Sequence, residues 1–434
     1  MTERKDLSIN IPLLARVEGE GALSMTLRDG RVSDVQLRIF EPPRYFEKFL
    51  EGRGFDEVPD IVARICGICP VAYQMSAVHA LESIFQAQPG PWVRAMRRAL
   101  YCGEWIESHM LHVHLLAAPD FLGFDNAIDM AKRYKSEVAR GLALQHLGND
   151  IIQMFGGRSV HPIGVRVGGF YKAPSLADVA NLVKKLRAGL AQAEEAVRWT
   201  AGLPLPESEQ EFVSVALRHA DEYAMNEGDI VASNGVAISP SAFEQHFVES
   251  HVPYSTALHC TFDGAPYLVG PLARLNINHD RLPQLVRALI ADIGLRLPSK
   301  NMFHSIIARA VEVYYALIEA VRILEAYREE AQPAATLTIK AGEGAAATEA
   351  PRGLLWHRYE VDGAGVIRNA RIVPPTSQNQ ARIEEDLKAT IEALGASKSD
   401  DELRLLSESV IRNYDPCISC STHFLTLQVN RESG

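Results

Sequence analysis

A mainly α-helical fold with small α+β portions is predicted, with long helices bundled at the core, an N-terminal β-hairpin sheet, and C-terminal strands beside one site. Three observations predict it. Several segments too long for strands carry apolar residues every three to four positions. Stretches near each end alternate apolar and polar residues instead. Two Cys-x-x-Cys elements, Cys66/Cys69 and Cys417/Cys420, stand at opposite ends of the chain. Closed around one centre, they would offer four thiolates to a soft metal.

Residues 7–40 alternate around Arg28-Asp29-Gly30-Arg31, a turn that joins two strands and leaves Glu18 at the edge of a small sheet. The stretches 90–117 and 128–155 are long and free of proline except at Pro91, which suits helices. Ser175, with Asp178 three residues on, caps a helix carrying Leu176, Val179, Leu182, Leu186 and Leu190 on one face. Val313, Ala316, Ala320 and Leu324 repeat that spacing within 302–330, and several long helices imply a bundle. Ala341 to Thr348 reads as a loop approaching the site. Residues 335–341 and 354–374 return to alternation, with Val361 to Gly365 as a hairpin turn, and a last helix over about 380–395 leads toward the second cysteine pair. No linker or internal repeat divides the 434 residues, so one domain is expected: sheet about 7–40, helical core about 75–330, C-terminal portion about 335–423 and a tail 424–434.

Charge narrows the partners. With 44 basic and 54 acidic residues the net charge is −10, which argues against a nucleic-acid surface. No run of about eighteen apolar residues exists to span a membrane, and no signal-peptide pattern opens the sequence, so a cytoplasmic location is expected. No Gly-x-Gly-x-x-Gly follows a strand, which argues against a nucleotide site in this chain.

The cysteine pairs admit other readings. Structural zinc is also held by Cys-x-x-Cys pairs, but such knuckles lie close together, whereas about 350 residues separate these. A redox dithiol needs only one motif. Disulfides need an oxidising compartment, and the remaining Cys102 and Cys260 are isolated.

Flanking residues sharpen the choice. Arg64-Ile-Cys66-Gly67-Ile-Cys69-Pro70 and Asp415-Pro416-Cys417-x-x-Cys420-x-x-His423 together resemble the two signatures of the nickel–iron hydrogenase large subunit. The resemblance continues through Arg16-Val-Glu18-Gly19, Arg44-x-x-Glu47-x-x-Leu50-x-Gly52-Arg53, Ser108-His109-x-x-His112 with Pro119-Asp120, and Gly156-Gly157-Arg158-x-x-His161-Pro162. It ends in Glu349-Ala-Pro351-Arg352-Gly353 with Pro375-Thr376. The related respiratory complex I subunit keeps parts of the scaffold without the four cysteines, so their presence points to a metal-bearing hydrogenase.

The resemblance implies a centre in which Cys66 and Cys417 bind nickel terminally, while Cys69 and Cys420 bridge it to an iron carrying cyanide and carbon monoxide. Splitting H2 heterolytically needs a Lewis-acidic metal pair and a nearby base, for which Cys417 is the candidate. Glu18 matches the family's proton relay, although it also reads as a surface strand carboxylate. Glu20 stands where most relatives carry histidine, and alternation would put both glutamates on one strand face, leaving open which relays. Arg352 would sit over the open side of the metals, with Asp120 holding it as a bidentate partner or simply ending a helix. Thr376 matches a donor to iron-bound cyanide. Glu47 and His423 match a magnesium site, of which the carboxylate alone suits that ion. Tyr73 replaces a histidine that donates to a bridging sulfur in many relatives, and a phenol can donate too. His109, His112 and His161 are read as packing residues.

The same resemblance implies partners. Cys102 and Cys260 cannot hold an iron–sulfur cluster, so electrons would leave through a cluster-bearing small subunit. The chain looks most like the cytoplasmic bidirectional group, coupled to NAD or NADP through flavin (diaphorase) subunits. A maturation endopeptidase would cut after His423, unless residues 424–434 are a retained C-terminus. The rivals are a scaffold subunit of a redox complex with structural zinc, and a dithiol oxidoreductase without tightly bound metal.

Overall fold

The computed structural model describes residues 7–29, 31–395 and 398–422. The chain opens on a three-stranded antiparallel sheet, β1 (Leu7–Ile11), β2 (Gly21–Arg28) and β3 (Arg31–Ile39), in the order β1-β2-β3. Arg28 faces Arg31 across the hairpin, as the turn residues predict. Met25, Leu37 and Ile39 point inward and are buried, which sets the register because a one-residue slip would turn them to solvent.

A short helix α1 (Phe46–Leu50) precedes α2 (Pro70–Phe85), α3 (Pro91–Leu111), α4 (Lys135–Gly156), α5 (Leu176–Ala201) and α6 (Ser305–Glu325). The last four of these pack in a closed cycle, α3 on α4, α4 on α5, α5 on α6 and α6 on α3. Ser175 caps α5 as its sequence suggests, its hydroxyl accepting from the Asp178 N–H at 3.2 Å. Val179, Leu182 and Leu186 of that helix are buried, each worth about 1.5–3 kcal/mol relative to exposure. The α3–α4 contact is closest at two glycines, since a Cβ on Gly148 would meet the Gly103 carbonyl at 2.5 Å. Beyond α3 the backbone widens into a π-helical turn, His112–Ala117, which begins at the last residue of the Ser108-His109-x-x-His112 motif.

Several expectations are corrected. The segment Ala341–Thr348 is no loop but most of a strand, β4 (Gly342–Ala350), paired with β5 (Gly353–Val361), which pairs in turn with β6 (Ile367–Val373). Its glycines and alanines let the strand lie directly on α2: a Cβ on Gly344 would meet the Ser83 hydroxyl at 2.3 Å and the Ala80 carbonyl at 2.6 Å. The alternating stretch 335–341, by contrast, forms no strand. The 128–155 helix is two pieces, Ala127–Ala131 and α4, the first capped by the Asn126 side chain. The expected helical core is interrupted by the short hairpin Val165–Arg166 with Gly169–Phe170 and by two further sheets, Val215–Arg218 with Asp229–Ala232 and Ala237–Ile238, and Phe247–His251 with Leu258–Phe262. The latter two gather their own apolar cluster around Phe243, Phe247 and Trp356. Finally, α7 (Pro375–Leu394) starts earlier than expected, and α8 (Asp400–Asn413), with a Ser399/Glu402 capping box, stands between it and the second cysteine pair.

Candidate metal centre

Each cysteine pair sits at a backbone turn. Cys69 is the residue before α2, whose first position is Pro70, and the N–H groups of Ile68 and Cys69 donate to the Cys66 sulfur at 3.3 and 3.1 Å. Cys420 lies in the 3-10 turn Ser419–Thr422. Folding brings the ends together, so that Cys66 and Cys417 sulfurs are 3.5 Å apart and Cys69 and Cys420 sulfurs 4.0 Å apart. All four sulfurs lie within 4.8 Å of one another and are buried, the one such cluster among the described residues. Burial pushes these thiols up. At Cys66, hydrogen bonds with the other three cysteines and the charge of Arg352 outweigh it and hold the thiol well below its ordinary range, while Cys417 is driven well above. Four buried thiols that cannot all ionise together fit a cationic metal that supplies the missing charge.

The segment after β1 delivers Glu18. Its carboxylate accepts from the Cys417 thiol and from the Ser419 N–H, both at 3.1 Å, and its carbonyl accepts from Ile418 N–H at 3.0 Å. Gly19 makes this approach possible: its φ is +86°, and a Cβ there would meet Ile418 Cβ at 2.7 Å. That left-handed residue also breaks the expected alternation. Glu20 is exposed, off the face that Glu18 presents to the sulfur.

Arg352 follows β4, is 3% exposed, and donates to the Asp415 carbonyl at 2.8 Å and its carboxylate at 3.1 Å. Burial works against its charge, but Asp415 and the cysteine thiolates more than offset it. The expected pairing with Asp120 is therefore corrected. Asp120 instead takes a two-pronged contact from Arg412 of α8, at 2.7 and 2.9 Å, and pairs with Arg16. The reason is reach: Asp120 lies in the helical turn Ala118–Leu122 and ties the N-terminal segment to α8, while Asp415 precedes Cys417 by two residues. Asp415 stands in the second cysteine motif, where the motif alone assigns it no role. Arg274, wholly buried, carries no sequence signal; it pairs with Glu312 at 2.7 Å and donates to the Ala350 and Pro351 carbonyls at 2.7 and 2.9 Å, holding the backbone that carries Arg352. Only the tertiary contacts reveal it, for no motif surrounds it.

The Thr376 hydroxyl accepts from the Cys417 N–H at 3.0 Å, which leaves its own proton free to be donated. Glu47, on α1, accepts from the Ile372 N–H at 2.7 Å, and burial pushes its carboxyl up to about 7 against that bond and the charges of Arg371 and Arg358. Arg44, on the approach to α1, donates to the Ile65 carbonyl at 2.5 Å and to the Ser419 carbonyl, joining the two cysteine segments. His423, the other expected magnesium ligand, and the tail 424–434 lie outside the described residues. Tyr73 is 1% exposed, and its hydroxyl has no partner among the described residues; burial and the cysteine charges keep it a neutral phenol. His109 and His112 bond Glu312 and the Arg412 carbonyl at 2.9 and 2.7 Å, and His161 bonds the Ala63 carbonyl at 2.7 Å.

Comparison with known proteins agrees with this geometry. Residues 44–146 and 213–423 match the family model described as nickel-dependent hydrogenase. The chain is 33% identical to the alpha subunit of sulfhydrogenase 1 from Pyrococcus furiosus, over 97% of this chain and 99% of that one. It is 32% identical to the alpha subunit of sulfhydrogenase 2 from the same organism, over 96% and 100%. Its fold superposes on a crystal structure of an NAD+-reducing [NiFe]-hydrogenase with a TM-score of 0.86 and 26% identity, covering 96% of this chain and 99% of the other. Four buried cysteines in one cage, on a fold and sequence shared along nearly their whole length with these enzymes, show that the chain belongs to the nickel-dependent hydrogenase family as its catalytic large subunit.

Proposed function

We propose that this protein oxidises H2 reversibly at a nickel–iron pair held by Cys66, Cys69, Cys417 and Cys420, passing electrons to an iron–sulfur partner, which hands them on to NAD or NADP. The observation that carries the reading is the closed cage of four sulfurs with one carboxylate, Glu18, in hydrogen-bond contact with Cys417. The metals, with cyanide and carbon monoxide on the iron, would supply the Lewis acidity that polarises H2. The chain's own residues do the rest. Cys417 takes the proton on its sulfur and passes it to Glu18 Oε2 at 3.1 Å. The Ser419 N–H on the same oxygen holds the carboxylate against the sulfur. Arg352, clamped by Asp415, presents a fixed positive charge to the cage without reorganising during the reaction. Thr376 accepts from the Cys417 N–H, orienting that residue, and would donate its hydroxyl proton to a cyanide. Glu47, with His423, would hold magnesium, the carboxylate supplying the oxygen ligand that this ion takes.

Electrons need another chain. Cys102 and Cys260 are buried singly, in α3 and in the strand Leu258–Phe262, and burial pushes both thiols up, so neither starts a cluster. Coupling to NAD or NADP through flavin subunits draws support from the NAD+-reducing enzyme among the structural relatives. Among the described residues no helix is long and apolar enough to cross a membrane. The reading is completed by a cytoplasmic location and trimming after His423 by an endopeptidase. The test is metal analysis with infrared spectroscopy on protein matured with its partners and purified without oxygen. Nickel and iron together with sharp cyanide and carbonyl bands are expected; zinc alone, without such bands, overturns the reading.

A further inference from the structure

Glu18 and Cys417 meet on segments that scarcely pair. Their backbones form one isolated parallel bridge outside any strand. A single bridge lacks the neighbouring ladder bonds that fix register within a sheet. The seat of the Glu18 carboxylate, 3.1 Å from the sulfur, therefore depends on what anchors each segment.

Both segments are anchored at one side chain on a third element. Asp120 lies in the helical turn Ala118–Leu122, and its side chain is 8% exposed. On the Glu18 side, Arg16 pairs with Asp120 Oδ1 and donates to the Leu116 carbonyl at 2.6 Å. Arg16 stands two residues before Glu18, a reach of about 7 Å at most. Its φ of +60° is one that a residue with a side chain seldom adopts, so the contacts of its guanidinium hold the backbone in that turn. On the Cys417 side, Arg412 donates to both Asp120 oxygens at 2.7 and 2.9 Å. The Arg412 carbonyl accepts from the Asp415 N–H at 2.9 Å, where the chain turns toward Cys417. Arg412 Nη1 closes the circuit by donating to the Ala15 carbonyl at 3.1 Å. Arg412 has a second carboxylate in Glu408 at 3.1 Å, whereas Arg16 pairs with no other carboxylate among the described residues. An ion pair serving only to dock α8 would need Arg412 alone; Arg16 adds a hold beside the relay.

Resting on the hydrogen reading above, we propose that Asp120 is a positioning residue for the proton step, setting the distance between the Glu18 carboxylate and the Cys417 sulfur through Arg16 and Arg412. Proton transfer needs its heavy atoms within about 3.2 Å. A misplacement of about 1 Å costs about a hundredfold in rate.

The test compares Asp120→Asn, which keeps the size and removes the charge, with Arg16→Met, which releases the Glu18 side alone. Amide hydrogen exchange on the full-length chain before metal loading requires no activity. The Ile418 and Ser419 N–H groups donate to Glu18, and both are expected to exchange about tenfold faster or more in either variant, with the amides of α5 unchanged. In the matured enzyme, either variant is expected to lower kcat for H2 by about tenfold or more, with nickel content and KM retained. Added to E18Q, Asp120→Asn is expected to lower turnover no further, because both changes act through one contact; a clasp that only stabilises the fold lowers it by the same factor in either background. Unchanged exchange at Ile418 and Ser419 in both variants, or a full further loss in E18Q, overturns the proposal. If Asp120→Asn does not fold, Arg16→Met decides by the same readouts. Wild-type enzyme that carries nickel and turns over H2 keeps the hydrogen reading intact whatever Asp120 does, whereas wild type that does neither removes both.

Discussion

Glu18 and Glu20 differ by two positions and meet opposite environments, because Gly19 between them adopts a conformation that a side chain would resist and that seats it against Ile418. The consequence is measurable. Glu18→Gln is expected to lower H2 turnover by about a hundredfold or more with nickel retained, since the amide cannot take the proton from Cys417. Glu20→Gln, at an exposed side chain, is expected to leave turnover within about twofold. A hydrogen-uptake assay beside metal analysis checks both; equal losses would mean that neither carboxylate has a dedicated path. Arg352 teaches the same lesson about partners. Its carboxylate comes from Asp415 because the chain reverses sharply there, with φ of +57° at Asp415.

Secondary elements are joined by contacts that their own periodicity does not announce. At the α3–α4 crossing, Gly148→Ala forces a methyl group against the Gly103 carbonyl and the Glu107 N–H, and a loss of about 1–3 kcal/mol is expected from overpacking. Denaturant unfolding measures it, and an unchanged midpoint would mean that the helices can part there without cost. A second junction ties β3 to α7, where Glu384 accepts from the Leu37 N–H at 2.8 Å and from the Tyr254 hydroxyl at 3.0 Å. Burial pushes this carboxyl up from 4.5 to about 7. Between those values the folded chain keeps a proton that the unfolded chain has released, so this group makes stability fall as pH rises through that window. Glu384→Gln, which cannot titrate, is expected to flatten the fall in melting temperature between pH 5 and about 7 relative to wild type. Parallel profiles would show that Glu384 ionises alike in both states.

For the whole molecule, the cage is also a clasp. Cys66 and Cys417 are 351 residues apart in sequence, so metal bound at their sulfurs joins the segment before α2 to the segment after α8. Binding to the folded state alone raises stability by mass action, about 4 kcal/mol when free ligand exceeds its dissociation constant a thousandfold. The loaded chain is therefore expected to melt higher than the metal-free chain, and Cys66→Ser or Cys417→Ser to abolish that difference while leaving the metal-free melting temperature little changed. Arg44 and the Arg16–Asp120–Arg412 group fasten the same ends without metal. These contacts hold the two cysteine segments together.

By itself the sequence determined the local structure and pointed to the cage: the two cysteine pairs, the capped α5, the β2–β3 hairpin, and the hairpin whose turn Asp362 closes by accepting from the Ala364 and Val366 N–H groups. These are legible because their causes lie within a few residues of one another, in spacing, caps and turn residues. The tertiary structure alone decided which glutamate meets Cys417, which aspartate holds Arg352, that Gly342–Ala350 is a strand, and that sheets interrupt the helical core over residues 215–262. Those outcomes depend on the close approach of segments far apart in sequence. The strand on α2, for example, exists because Gly344 clears the Ala80 carbonyl, and small residues in sequence look alike whether they line a loop or let two backbones touch.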